Sequence, residues 1–144
     1  MLPDDQILFL DENLHRCKPI LESLAQNGIR YECHGTHFRP GTPDQEWLPV
    51  VGRNRWLLLT ADKNIRYNEL ERRAILRHNV RAFIFTSGNL NGKAMGELVV
   101  KAFPKIMGIC RRHDAPFIAS ITQSGVVHLT FDKFGPTHRR RKRD

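Results

Sequence analysis

Four apolar residues in a row, Ile7-Leu8-Phe9-Leu10, stop abruptly at Asp11-Glu12-Asn13, and Trp56-Leu57-Leu58-Leu59-Thr60 stops the same way at Ala61-Asp62-Lys63. A half-exposed strand alternates apolar and polar residues, so a run without alternation reads as a strand covered on both faces, as in a parallel sheet. Ile29 to Cys33, Val80 to Thr86 and Phe117 to Ile121 are read as further strands. Val126 to Phe131, alternating across His128, reads as an antiparallel edge partner of the last, through a Gln123-Ser124-Gly125 turn.

Helical patterns fill the intervals. Ile20, Leu21 and Leu24 lie at helical spacing, Pro19 must sit in the first turn, and Asn27-Gly28 is a stop signal. A polar loop is expected from His34 to Gly41. At Thr42-Pro43-Asp44-Gln45, Thr42 can cap, Pro43 suits the first helical position and Gln45 completes a capping box. Trp47, Leu48 and Val51 give that helix an apolar face, and Gly52 should end it. Asn68 with Glu71 starts another helix, with Leu70, Ala74 and Ile75 inward and its Arg and Glu residues outward. Lys93 to Arg112 has the pattern of one long amphipathic helix that Pro104 should kink or divide. Strands alternating with helices predict an α/β domain with a mostly parallel sheet, and such sheets carry their sites beyond the C-terminal ends of the strands.

The 144 residues suit one domain, with residues 1–134 as its body and 135–144 as a basic tail expected to be disordered. The tail run Arg139 to Asp144, with five positive charges and one negative, supplies half of the net charge of +8. The net charge suggests an anionic partner, and the arm reads equally as a non-specific phosphate contact or as a solvated charge run that aids solubility. No apolar run approaches the roughly 20 residues needed to span a membrane, and the first residues lack the basic region of a secretory signal, so a cytoplasmic protein is expected. Cys17, Cys33 and Cys110, odd in number and without C-x-x-C spacing, read as reduced thiols. Cys33, His34 and His37 are too weak a set for a zinc site.

The chemistry is expected at the strand ends. If the first and third strands are neighbours, Asp11 and Asp62 meet at one rim of the sheet. Asp44, in the first turn of the helix leading into the third strand, starts near the same rim. Carboxylates held together raise one another's pKa, and a hard divalent cation resolves the conflict. Taken singly, Asp44 serves equally as a helix N-terminal acid, and Asp11 and Asp62 as caps or turn residues. Their joint placement favours a metal site.

The segments ILFLDENL and GTPDQEWLPVVGRNRWLLLTADKN resemble the short PIN-like nucleases, the group that contains VapC-type toxins. That family opens with an aspartate ending the first strand, matched by Asp11. It continues with a D-x-x-hydrophobic helix start, matched by Asp44-Gln45-Glu46-Trp47, and a strand ending T-x-D, matched by Thr60-Ala61-Asp62. The match covers residues 6 to 66. The resemblance implies a three-layer α/β/α sandwich and hydrolysis of phosphodiesters, usually in RNA, with Mg2+ or Mn2+. For toxins it also implies a small antitoxin partner. A homodimer is compatible with the sequence. Longer relatives carry a further acid, usually Glu, between the first aspartate and the D-x-x helix. Glu12, Glu22 and Glu32 fall in that interval. Glu22 should be exposed and Glu32 lies in a strand, which leaves Glu12, nearest the rim, as the fourth metal candidate.

Supporting groups are expected around the acids. Thr60 can bond a carboxylate ligand or a substrate phosphate, Asn13 can orient Asp11, and Lys63 and Arg66 can neutralise phosphate charge. Asn89 and Asn91 stand at a helix start that could meet a phosphate, and His15 is either a proton shuttle or a solvent-facing residue. Three other readings compete. A receiver-like signalling domain lacks its lysine, because Ile121 is followed by Thr-Gln-Ser-Gly. Nucleophilic catalysis lacks a thiol or hydroxyl paired with His and Asp. A non-catalytic PIN-like domain binding nucleic acid or protein is favoured by the missing acid and opposed by the three aspartates that remain.

Overall fold

The apolar runs do pair as neighbouring parallel strands. In the computed structural model, which describes residues 6–62, 64–86 and 90–137, with the side chains of Asn64 and Arg66 left out, β1 (Leu8–Leu10) lies between β2 (Tyr31–Cys33) and β3 (Leu57–Thr60). The sheet continues through β4 (Arg81–Phe85) and β5 (Phe117–Ile121), all parallel, to β6 (Val127–Asp132) and β7 (Gly135–Pro136), which are antiparallel. The order β2-β1-β3-β4-β5-β6-β7 reverses direction at β1, so the chain leaves β1 to one side and returns to β3 on the other.

Pleating sends alternate residues of each strand into two separate cores. Leu8 and Leu10, Leu57 and Leu59, and Phe83 and Phe85 pack with α1 (Lys18–Gln26) and α6 (Gly92–Arg112) on one face. Phe9, Leu58, Ala82, Ile84 and Ile118 pack on the other against α3 (Asp44–Arg53), Ile65 of the short α4 (Asn64–Tyr67), and α5 (Glu69–Arg77). That is the expected α/β/α sandwich, and it explains the missing alternation: both faces of each central strand are covered. Phe9 is fully buried, with the rings of Trp56 and Trp47 stacked at 5.4 and 5.8 Å. Burying such a ring stabilises the fold by roughly 1.5–3 kcal/mol. On the opposite face α1 and α6 approach closely because Gly96 has no side chain; a Cβ there would lie 2.6 Å from Ser23 Oγ.

Helix ends follow one device. After α1, α3 and α5 the next residue but one is left-handed: Gly28 (φ 68°), Arg55 (φ 60°) and Asn79 (φ 61°). In each case the following N–H reaches back into the helix, Ile29 to Leu24 O, Trp56 to Val51 O and Val80 to Ile75 O, which is the Schellman arrangement.

Several sequence expectations are corrected. Gly52 does not end α3; the helix runs one residue further and its left-handed residue is Arg55. Thr42 does not cap α3, because its hydroxyl donates to Arg39 O at 2.6 Å and Pro43 holds the cap position. The loop expected from His34 opens instead with a short helix, α2 (His34–His37). Leu70 is exposed rather than inward, while Ile75 is buried as expected. Pro104 does not divide α6, which runs unbroken over 21 residues. β6 is not the edge strand, since β7 pairs outside it, and Thr137 donates to Leu129 O at 2.6 Å. Gly135 and Pro136, assigned to the tail from sequence, thus belong to the sheet, Thr137 is tied to it by its side chain, and the basic run 139–143 lies outside the described residues. No helix among the described residues is long and apolar enough to cross a membrane.

Candidate active site

The reversal of strand order between β1 and β3 opens a crevice at their C-terminal ends, the place where open α/β sheets take ligands. Asp11 directly follows β1, and Asp62 follows β3 by two residues. Leu10 pairs with Leu59, so the two strands end in register. α3 runs back toward β3 and therefore begins at this rim, which puts Asp44 in its first turn there. The three aspartates line one cavity of about 160 Å³, with Leu58, Ile65 and Ile75 as an apolar floor.

Each acid is held differently. Asp11 is buried; Thr60 Oγ1 donates to its Oδ2, and the backbone N–H of Asn13 donates to Oδ1 at 3.1 Å. The Trp47 indole N–H donates to Asp44 Oδ1 at 3.0 Å. The backbone N–H of Asp62 donates to Thr60 Oγ1 at 3.0 Å. Thr60 thus takes the first of its two expected roles, bonding a carboxylate, and is itself fully buried. Burial pushes the Asp11 carboxyl from 3.8 up to about 6; the hydrogen bonds from Thr60 and from the Asn13 and Leu14 amides pull it down, and the Asp62 charge adds to the rise.

Glu12 and Asn13 also line the cavity, but Glu12 Oε1 accepts from the Gly41 N–H at 2.7 Å and so pins the loop before α3. Glu22 is exposed on α1, as expected, and Glu32 pairs with His37 at 2.7 Å. His15 is only partly exposed, and its Nδ1 accepts from the Gly35 N–H at 2.7 Å, which anchors α2. Asn91 caps α6, its side chain accepting from Ala94 N at 2.8 Å. Lys63, the side chain of Arg66, and Asn89 lie outside the described residues.

Two cavity residues were not anticipated. Glu71, in the first turn of α5, lines the cavity beside the aspartates. Burial raises its carboxyl pKa, followed by repulsion from Asp62 and Asp44. His34 is buried among the rings of Phe9, Phe38, Trp47 and His15, and burial holds its imidazole toward the neutral form. Among the described residues, the two buried side-chain polar atoms without a hydrogen-bond partner are His34 Nδ1 and Glu71 Oε2. Both belong to this cavity. A signal for Glu71 was in the sequence: it stands four residues before Ile75, on the same helix face. His34 had none, because a four-residue helix is too short to show periodicity.

Five carboxylates, Asp11, Glu12, Asp44, Asp62 and Glu71, around a small, half-apolar cavity make a hard-oxygen donor set. Among the described residues no group of three His, Cys, Asp or Glu side chains stands close enough to grip an ion unaided. The cavity has room for several waters, so the arrangement fits a divalent cation that retains part of its hydration.

Comparison with known proteins follows the same lines. The sequence model described as "PIN like domain" matches residues 7–87, more than half of the chain and all five cavity carboxylates. A curated protein of Mycobacterium tuberculosis, named "Putative ribonuclease VapC45", is 23% identical over 133 residues, covering 90% of this chain and 95% of that protein. No solved structure matches. With its acids at the crevice between β1 and β3 and its family match over residues 7–87, the chain belongs to the PIN-like domain family.

Proposed function

We propose that this chain is a metal-dependent ribonuclease that hydrolyses phosphodiester bonds at the Asp11–Asp44–Asp62 cavity. The observation that carries the reading is the meeting of Asp11 and Asp62 at adjacent strand ends, with Asp44 facing the same space, in a chain of this family. Similarity to a protein named as a ribonuclease over nine-tenths of the chain supports the same reaction.

Asp11 and Asp62 would hold Mg2+ or Mn2+, with Asp44 bound directly or through water and Glu12 at the margin. When bound, such an ion supplies positive charge to the phosphate and acidifies an attacking water. The protein's own part is positional. Thr60 fixes Asp11 and the Asp62 backbone together, the Trp47 indole fixes Asp44, and the Leu58–Ile65–Ile75 floor limits water around the carboxylates. Asn13, Lys63 and Arg66, close to these acids in the chain, are assigned to the phosphate backbone of the substrate. The net charge of +8 favours an RNA strand as partner. A small antitoxin protein and a cytoplasmic setting belong to the same reading, as does a domain body followed by a basic arm.

The test is cleavage of a mixed-sequence RNA by the purified chain with Mg2+ or Mn2+, with and without a chelator. Asp11→Asn and Asp62→Asn should each abolish cleavage while leaving circular dichroism unchanged. Undiminished cleavage in both variants, or in excess chelator, would overturn the assignment.

A further inference from the structure

We infer that Glu71 is the fourth carboxylate of the metal site, supplied from beyond Asp62 rather than from the interval between Asp11 and Asp44. The inference rests on the metal-nuclease reading above and adds a ligand that the spacing of the aspartates does not reveal.

Position comes first. Glu71 shares the cavity with Asp11, Asp44 and Asp62, and its backbone is fixed because Asn68 Oδ1 accepts from the N–H groups of Leu70 and Glu71 at 3.0 and 3.3 Å. Its neighbour on the same face, Ile75, is anchored in the core, so the carboxylate is held at the cavity wall.

Partnership comes second. Glu71 Oε2 is buried and accepts no hydrogen bond, an arrangement that costs free energy unless something positive or proton-donating comes to it. Among the described residues, neither a basic side chain nor a hydroxyl bonds to it. Among the described residues, the charges that act on it are those of Asp62 and Asp44, both repulsive. A cation relieves both defects at once. A second buried atom of the same cavity, His34 Nδ1, is also without a partner, so the missing component belongs to the cavity as a whole and not to one misplaced glutamate.

The competing glutamates are occupied or distant. Glu12 Oε1 accepts from Gly41 N, Glu32 pairs with His37, and Glu22 is on the exposed face of α1. Only Glu71, among the glutamates of the described residues, combines the cavity wall with a buried, unbonded oxygen.

The experiment is isothermal titration of Mn2+ into the full chain and into Glu71→Gln, Glu12→Gln and Asp11→Asn, each checked for folding by circular dichroism. Glu71→Gln keeps the shape and removes the charge; it should weaken Mn2+ binding at least tenfold, more than Glu12→Gln does. If it does not fold, Glu71→Asp, which keeps the charge but shortens the reach, should weaken binding instead. Wild-type affinity in the Glu71 variant, with binding lost in Asp11→Asn, would overturn the role of Glu71 and leave the nuclease reading intact. A larger loss in Glu12→Gln than in Glu71→Gln would also overturn it. No Mn2+ binding to the wild type would overturn both.

Discussion

Thr60 Oγ1 donates to Asp11 Oδ2 while accepting from the backbone N–H of Asp62, so one buried hydroxyl joins the ends of β1 and β3. Thr60→Val keeps the shape and removes both bonds, leaving a buried carboxylate short of a donor and a backbone N–H short of an acceptor. Such unsatisfied groups cost about 1–3 kcal/mol each. The expected result is a lowered melting temperature together with weaker Mn2+ binding, while Thr60→Ser restores most of both. A Thr60→Val protein as stable as the wild type would show that the hydroxyl is dispensable.

Asp11 should weaken the metal-free fold at neutral pH. Its folded pKa, about 6, lies above the 3.8 of the ordinary carboxyl, so the native state holds the proton more tightly than the unfolded chain. Stability is then fullest below pH 3.8, falls as the pH rises from 3.8 to about 6, and stays reduced above that. A shift of this size corresponds to about 3 kcal/mol as an order of magnitude. Asp11→Asn, without metal, should therefore melt higher than the wild type at pH 7, and the difference should shrink toward pH 4. Denaturant unfolding at several pH values measures it; a pH-independent difference would refute the linkage.

Arg55 pays for a left-handed backbone that glycine adopts freely, and its charge also opposes Arg81, which donates to Arg55 O. Arg55→Gly should stabilise the protein by up to about 1 kcal/mol, since the relieved backbone strain exceeds the entropy glycine adds to the unfolded chain. Gly52 stands at the opposite extreme. A methyl group there would overlap His78 O, so Gly52→Ala should force α3 away from the end of α5 and cost about 1–3 kcal/mol. Chemical denaturation of both variants checks the opposite signs.

The legible part of this molecule was the part governed by burial on two faces. Runs such as Leu8–Leu10 and Leu57–Leu59 must be central strands, because a parallel sheet between helix layers leaves no solvent face to carry polar residues. From that, the rims carrying Asp11 and Asp62 followed, and Asp44 followed from the direction of α3. Glu71 was obscured, since its one signal, the spacing to Ile75, is opposed by three others in α5. The Asn68–Glu71 spacing assigns the carboxylate to helix capping, the acidic and basic residues suggest an outer face, and Leu70 draws the inner face toward the wrong side. Packing decided for Ile75, which carries Glu71 inward and leaves Leu70 exposed. Gly52 misled for a related reason: glycine after an apolar stretch signals a helix end, but here it is required by the close approach of the His78 carbonyl.

The split of each strand between two cores also sets an order of events for a chain made from its N-terminus. All five cavity carboxylates have emerged by residue 71, yet the other face of β1 and β3 is covered by α1 and α6 together, and α6 ends only at Arg112. Until that helix has emerged and docked, Leu8, Leu10, Leu57 and Leu59 have only α1 over them, and half of their covering layer is missing. The growing chain thus carries every acid of the cavity past the ribosome before the sheet beneath them is covered on both faces.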